Sequence, residues 1–281
     1  MSSILAGVWP EIAPWLPFAA ALAIGWTGRK LAALPFLAVA AILAWQSGAL
    51  GLPSILIFAA CLAASAQIPR LPPGARPLGH GLLILACLAF GLGLVPGADR
   101  LTIAADFRTG PASLPFSYGI GLEKPFAFFL LLFGLPDLLA RTQGPYGKLM
   151  GAALAILAGL FLLALSAGTL RWEASFPGWL PIFAVGNLLL TCLPEEAFFR
   201  GYIQRRLSAR LGIWPGLALS GLLFGLAHLG GGAVLAVFAG LAGLAYGLAF
   251  QFGGGLRAAV LFHFGFNMAH LLLFTYPAAI G

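Results

Sequence analysis

Long apolar runs fill almost the whole sequence, and they constrain the fold more than any other feature. A helix of about 20 apolar residues crosses the roughly 30 Å hydrocarbon core of a bilayer. Because hydrocarbon offers backbone groups no partners, such runs are expected to be helical. The sequence therefore predicts an all-α, polytopic membrane protein with about 8–10 transmembrane helices. The ten candidate runs are residues 12–27, 31–49, 52–68, 78–96, 125–140, 149–169, 179–200, 214–230, 233–251 and 258–276.

The fifth run, residues 125–140, is the least regular of the ten. It is short, and Pro136 and Asp137 interrupt it. A re-entrant segment is therefore an alternative to a full crossing, and for this reason the expected count begins at eight.

Composition supports a membrane protein, with 61% hydrophobic and 8% charged residues and a mean hydropathy of +1.00. Soluble domains carry about 25% charged residues. The net charge of +7 does not indicate nucleic-acid binding, because the basic residues gather in alternate loops, the pattern that orients membrane proteins. We expect a multi-pass protein of the bacterial inner (cell) membrane, with the lipid bilayer as a partner, no nucleic-acid partner, and both termini outside. The basic groups that would face the cytoplasm are Arg29 and Lys30, Arg70 and Arg76, Arg141 and Lys148, Arg205, Arg206 and Arg210, and Arg257.

Strongly polar residues interrupt the later runs. Charged groups within a membrane are costly and usually functional. Glu195, Glu196 and Arg200 lie in the seventh run. Glu196 and Arg200 are one helical turn apart and can pair, whereas Glu195 points about 100° away from Glu196. Pro194 lacks an N–H group and is expected to kink or unwind the helix just before the two carboxylates.

Two further runs bring polar side chains to a similar depth. At about 1.5 Å per residue from the basic helix ends, Glu195 lies roughly 15–22 Å deep and His228 about 21 Å deep. His263 and Asn267, one turn apart in the last run, lie roughly 9–15 Å deep. Three helices are thus predicted to place their polar residues in one overlapping layer.

This layer has the chemistry of a hydrolase. A carboxylate in a low-dielectric setting is an effective general base near neutral pH. Beside a neutral His it can take a proton from water, while a second His and an Asn amide donate to the tetrahedral oxyanion, a contribution of about 3 kcal/mol per donor. No cofactor is required for this chemistry.

Two alternatives use the same residues. Two His and a Glu are a known catalytic zinc set, although the chain lacks the H-E-x-x-H motif. Buried Glu, His and Arg also mark transporters and proton relays. Transporters often show paired broken helices in both halves, whereas this chain concentrates its polar groups in one half.

The motifs resemble a known family. Their order and spacing look like the three motifs of the CAAX protease and bacteriocin-processing (CPBP, or ABI) family of intramembrane proteases. The resemblance covers roughly residues 150–276. The motifs are Glu195-Glu196-x-x-x-Arg200, Phe224-x-x-x-His228 and His263-x-x-x-Asn267.

The resemblance implies an all-helical fold with a cavity open to the membrane. By this analogy, Glu195 and His228 would activate water, and His263 with Asn267 would stabilise the oxyanion. The family was long described as metalloproteases, and the glutamate-type mechanism is the interpretation that we favour.

The resemblance also assigns supporting roles. Glu196 and Arg200 would hold the site together, and Phe224 would pack against it on the substrate side. The implied function is an intramembrane endopeptidase that cleaves near a membrane-anchored, often C-terminal, segment of a protein substrate. A prenylated CAAX end, a bacteriocin leader and a C-terminal sorting tail are all compatible with it.

The resemblance divides the chain near residue 123. Residues 1–123 are expected to form N-terminal transmembrane helices and an outward loop of unassigned role. Residues 124–281 are expected to form the protease core. The polar stretch 97–124 contains Gly110-Pro111 and Pro115, which favour a connecting loop with some amphipathic character.

Overall fold

The computed structural model describes residues 7–142 and 146–280, and these residues are mostly helical. We number ten helices in chain order. They are α1 (Trp15–Trp26), α2 (Lys30–Gln46), α3 (Leu52–Gln67), α4 (Arg76–Gly91), α5 (Glu123–Gly134), α6 (Gly147–Ser166), α7 (Leu180–Leu211), α8 (Ile213–Ala227), α9 (Ala233–Phe252) and α10 (Leu256–Leu273).

Each helix falls on one of the predicted apolar runs, so the all-α, polytopic architecture is confirmed. Within the described ranges, five helical segments are long and apolar enough to cross a membrane: α6, α7, α9, α10, and α3 with the turn that follows it to Arg70. Helices α1, α2, α4 and α8 are apolar but shorter. The chain is therefore an integral, multi-pass membrane protein.

The fifth apolar run forms only a short helix, α5. It is 12 residues long and ends at Gly134, before Pro136. Apolar helices of about this length are more often buried core helices than membrane spans. Four consecutive residues, Phe128 to Leu131, have no exposed surface. A helix that is apolar on all sides and buried on all sides is a central element of its unit.

The polar stretch before α5 is more ordered than predicted. It contains a two-stranded sheet of β1 (Leu101–Phe107) and β2 (Phe116–Ile120). The sequence signal was present, since Phe116-Ser-Tyr-Gly-Ile120 alternates apolar and small or polar residues, the period of a strand. The Gly and Pro residues between the strands favour a loop, and the prediction followed them and not the alternation.

The chain packs as two compact units. The first comprises described residues within Met1–Ala105, Ser117–Leu139 and Gly178–Pro194, and the second those within Asp106–Phe116, Ala140–Pro177 and Glu195–Gly281. Helix α7 contributes to both, and so does the strand pair. The division near residue 123, which rests on the family resemblance, is a different kind of boundary and stays a prediction.

The first unit packs around α5. Phe126 of α5 lies 4.5 Å from the ring of Phe58 on α3 and 5.8 Å from that of Phe90 on α4. Phe129 meets Phe18 of α1 edge-on at 6.0 Å. Aromatic contacts thus join α5 to α1, α3 and α4.

The second unit packs around α9, which contacts α6, α8 and α10. The crossing of α8 and α9 is close because both helices carry glycines at the contact. A Cβ at Gly225 would lie 2.6 Å from the carbonyl oxygen of Ala236, and one at Gly221 would lie 2.6 Å from a methyl carbon of Leu244. Small residues of this kind let helix backbones approach closely within a membrane.

Glycines also set where the helices of this unit begin. Gly212 before α8 has φ 93° and Gly255 before α10 has φ 111°. Backbone at these angles is readily adopted only by glycine. The turns therefore fix where the predicted motif residues fall along α8 and α10.

Candidate active site

Helix α7 carries the two glutamates between wide turns. Its backbone is π-helical over Gly186–Cys192 and again over Ala197–Gln204, with a short α-helical stretch, Leu193–Glu196, between them. Pro194 in that stretch has no N–H to donate, and π turns are frequent at functional sites. The disturbance expected at Pro194 thus appears as wide turns in a continuous helix.

One oxygen of Glu196 is the centre of the site. Its Oε1 accepts a hydrogen bond from Arg200 Nη1 at 3.1 Å and lies 2.8 Å from His263 Nδ1. A carboxylate that pairs with Arg is ionised and can only accept, so Nδ1 of His263 is the donor. The side chains of Glu196 and Arg200 are both 0% exposed. The predicted Glu196–Arg200 pair is present, and it binds a third group that was not expected.

Arg200 reaches across to α9. Its Nη2 donates to the carbonyl oxygen of Gly243 at 2.8 Å. The guanidinium lies 4.4 Å from the ring centre of Phe224 and 5.4 Å from that of Tyr246. Gly243 leaves room for this, since a Cβ there would lie 2.9 Å from Nη2. One buried cation thus joins α7, α8 and α9.

His263 of α10 lies between the two glutamates. While Nδ1 donates to Glu196, Nε2 lies 3.9 Å from Oε2 of Glu195, and the side chain of Glu195 is 10% exposed. The imidazole stacks on Tyr246 at 4.5 Å with 13° between the ring planes. Glu195 is therefore the more exposed carboxylate of the pair, and it faces the second nitrogen of the same histidine.

His228 joins the site through Phe224. It follows the last residue of α8, and its Nδ1 lies 2.8 Å from the carbonyl oxygen of Phe224. Because a carbonyl accepts, Nδ1 carries the proton and Nε2 of the neutral ring holds a lone pair. The rings of Phe224 and His228 are 4.5 Å apart, and Phe224 also meets His263 edge-on at 5.7 Å. Phe224 therefore contacts both histidines.

Asn267 lies on α10 one turn after His263 and is half-buried. The structure thus brings together Glu195, Glu196, Arg200, Phe224 and His263. It adds His228 through its contact with Phe224, and Asn267 lies on the helix that carries His263. The catalytic roles assigned to these residues stay predictions.

Sequence reasoning missed a second hydrogen bond that joins α7 to α9. Gln204, one turn beyond Arg200, is buried and donates to the carbonyl oxygen of Gly247 at 3.0 Å. Arg200 and Gln204 on α7 thus bond Gly243 and Gly247 on α9 with equal spacing on both helices. The spacing of Gly243-x-x-x-Gly247 and Gly221-x-x-x-Gly225 could have revealed the close helix crossing in advance.

The zinc alternative needs several protein ligands around one point. Across the residues that the structure describes, no group of three or more His, Cys, Asp and Glu side chains is arranged to hold a metal ion. Within the site, Nδ1 of His263 is already engaged by Glu196.

Comparison with protein families gives a match to this part of the chain. Residues 177–269 match the model for type II CAAX prenyl endopeptidases, Rce1-like. The matched segment includes all seven residues singled out from the sequence. Comparisons with curated proteins and with solved structures gave no match. Residues 177–269 of this multi-pass membrane protein are thus similar to the type II CAAX prenyl endopeptidases.

Proposed function

We propose that this protein is an intramembrane endopeptidase in which Glu195 activates the attacking water. The observation that carries the proposal is the contrast within the glutamate pair. Glu196 is wholly buried and bonded to Arg200 and His263, whereas Glu195 is partly exposed and faces Nε2 of His263. The contacts of Glu196 suit a structural role, and the greater exposure of Glu195 supports its contact with water.

The reaction follows from this arrangement. Glu195 takes a proton from water as the water oxygen attacks the scissile carbonyl carbon. The carbonyl oxygen becomes an oxyanion, and the C–N bond then breaks as Glu195 returns the proton to the leaving amine. His228 assists Glu195 through the lone pair on its Nε2.

The oxyanion needs donors. The side-chain amide of Asn267 supplies one. His263 supplies the other from Nε2 when its ring is protonated, because Nδ1–H already points at Glu196. Each such donor is worth about 3 kcal/mol in the transition state. Glu196 and Arg200 keep His263 oriented for this role, which makes them positioning residues.

The substrate is proposed to be a protein with a membrane-anchored end. The family match names CAAX prenyl endopeptidases, and a prenylated C-terminal peptide is therefore the first probe. Bacteriocin leaders and C-terminal sorting tails are the other classes that the motifs allow. We propose a location in the bacterial cell membrane, with the basic loops on the cytoplasmic side.

The test uses purified protein in liposomes with a panel of tethered peptides: farnesylated CAAX peptides, leader peptides and peptides with an apolar C-terminal anchor. We expect cleavage of at least one class, and a loss of at least about 100-fold in Glu195→Ala and His228→Ala. Unimpaired cleavage by either variant would contradict the mechanism.

The same assay separates the alternatives. Activity that survives exhaustive treatment with a chelator supports the glutamate mechanism, and activity that is lost and then restored by Zn²⁺ supports a metal. A transporter would cleave no peptide and would instead carry protons or solute across the liposome membrane.

A further inference from the structure

Three neighbours restrain the imidazole of His263, and only one of them does so by a hydrogen bond. Glu196 fixes Nδ1 at 2.8 Å. Tyr246 covers one face, 4.5 Å away and within 13° of parallel. Phe224 stands perpendicular to the ring, with 5.7 Å between centres and 89° between planes. The ring is thus restrained at Nδ1 by a hydrogen bond, on one face by stacking, and by an edge-on contact with Phe224.

Tyr246 is itself well fixed. It is 1% exposed and lies in the stretch of α9 that is most deeply buried. The guanidinium of Arg200 lies 5.4 Å from its ring centre, and Phe224 meets it edge-on at 6.0 Å. The group that clamps Glu196 therefore also flanks the ring that stacks on His263.

A hydrogen bond at Nδ1 leaves one motion open. The imidazole can still tilt about the line between Nδ1 and Oε1 of Glu196, which would swing Nε2 away from Glu195. A flat ring stacked on its face opposes that tilt, because offset stacking favours one relative orientation. Tight positioning of catalytic groups matters because small misplacements cost large factors in rate.

We propose that Tyr246 is a positioning residue, whose ring holds the imidazole plane of His263 and so directs Nε2 toward Glu195. The proposal deepens the proposed function and rests on it for the catalytic consequence. The aromatic ring is the active part of Tyr246 in this role, so Phe is expected to replace Tyr and an aliphatic side chain is not.

The chain offers a matched control on the same helix. Phe252 is also a buried aromatic residue of α9, but its ring contacts Tyr146 at 5.8 Å and Trp214 at 5.7 Å. Phe252→Leu removes a similar ring from the same helix without removing a contact to His263. It measures what loss of core packing does by itself.

The first experiment needs no substrate. The chain contains four histidines, so ¹⁵N-histidine labelling gives a small set of imidazole signals by solid-state NMR in liposomes, and His263→Gln assigns those of His263. We expect a single set of His263 signals, with Nδ1 protonated, in the wild type, in Tyr246→Phe and in Phe252→Leu. In Tyr246→Leu we expect exchange-broadened signals or more than one set of His263 signals, because the ring can then adopt several tilts. An unchanged His263 spectrum in Tyr246→Leu would overturn the proposal.

The second experiment uses whichever tethered peptide the wild type cleaves. We expect kcat to fall 10- to 100-fold in Tyr246→Leu with KM within twofold, a pH–rate profile displaced from that of the wild type, and activity within about twofold in Tyr246→Phe. An equal loss in Phe252→Leu, or a loss confined to KM, would contradict a positioning role. If no peptide is cleaved, the proposed function fails, while the NMR experiment still decides the orientation of His263.

Discussion

Nδ1 of His263 lies 2.8 Å from Oε1 of Glu196, the same oxygen that accepts from Arg200 at 3.1 Å. A buried carboxylate shared in this way ties the last helix of the chain to the first motif. It also distinguishes two adjacent glutamates whose side-chain chemistry is identical.

Neutralising one glutamate or the other is therefore expected to have different effects on stability. Glu196→Gln leaves Arg200 buried without a counter-charge, and removing one partner of a buried pair costs about 3–5 kcal/mol. We expect this variant to lose activity and to melt roughly 10 °C lower. Glu195→Gln should lose activity with a melting temperature close to that of the wild type. Peptide cleavage and thermal unfolding, both measured in detergent, check this, and equal melting temperatures for the two variants would contradict it.

Gly243→Ala tests the space that Arg200 requires. Its methyl group would lie 2.9 Å from Nη2 of Arg200 and 3.2 Å from Phe224, so the guanidinium must shift and its bond to the Gly243 carbonyl weakens. We expect at least tenfold lower activity and a lower melting temperature. Gly265→Ala is the control, because a Cβ there meets nothing within 4 Å. Similar behaviour of the two variants would show that the contact is unimportant.

Arg200→Lys is expected to be a poor replacement despite keeping the charge. Arg200 bonds Glu196 and Gly243 with two different nitrogens, and the single ammonium of Lys cannot match the planar fork of a guanidinium. We expect activity reduced at least tenfold. A near-wild-type rate and melting temperature would mean that charge alone suffices.

Glu173 anchors the loop between β1 and β2. It accepts from the backbone N–H of Ala112 at 2.8 Å and from the hydroxyl of Ser113 at 2.5 Å. A hydrogen bond to a charged group contributes about 1.5–3 kcal/mol, so Glu173→Ala should speed amide exchange at Ala112 by roughly tenfold or more. Hydrogen exchange with mass spectrometry measures this, with Glu11→Ala as the exposed control. Unchanged exchange in this loop would refute the anchoring role.

Local patterns in the sequence were enough to predict the helices and one ion pair. Apolar runs of membrane-spanning length locate all ten numbered helices, because hydrocarbon forces backbone pairing within each run. The four-residue spacing of Glu196 and Arg200 was sufficient for their contact, since it depends only on helix geometry.

Contacts between distant helices were harder to predict. The bond from Glu196 to His263 and the stacking of Tyr246 on His263 depend on how α7, α9 and α10 rotate against one another. Tyr246 lies among Ala, Gly and Leu residues in an apolar run, where a tyrosine gives no sign of a partner 17 residues further along the chain. The strand pair was missed for a different reason, since two short alternating segments are weak signals beside long helices.

The partners of Arg200 also impose an order on how the protein is made. Helix α7 is synthesised before α9 and α10, which supply the Gly243 carbonyl and His263. When α7 first enters the bilayer, only the internal pair of Glu196 and Arg200 can offset their charges. Helix α7 therefore reaches its most stable state only after α9 and α10 have been inserted. Nascent chains that stop before α9 should be retained by insertion factors or degraded.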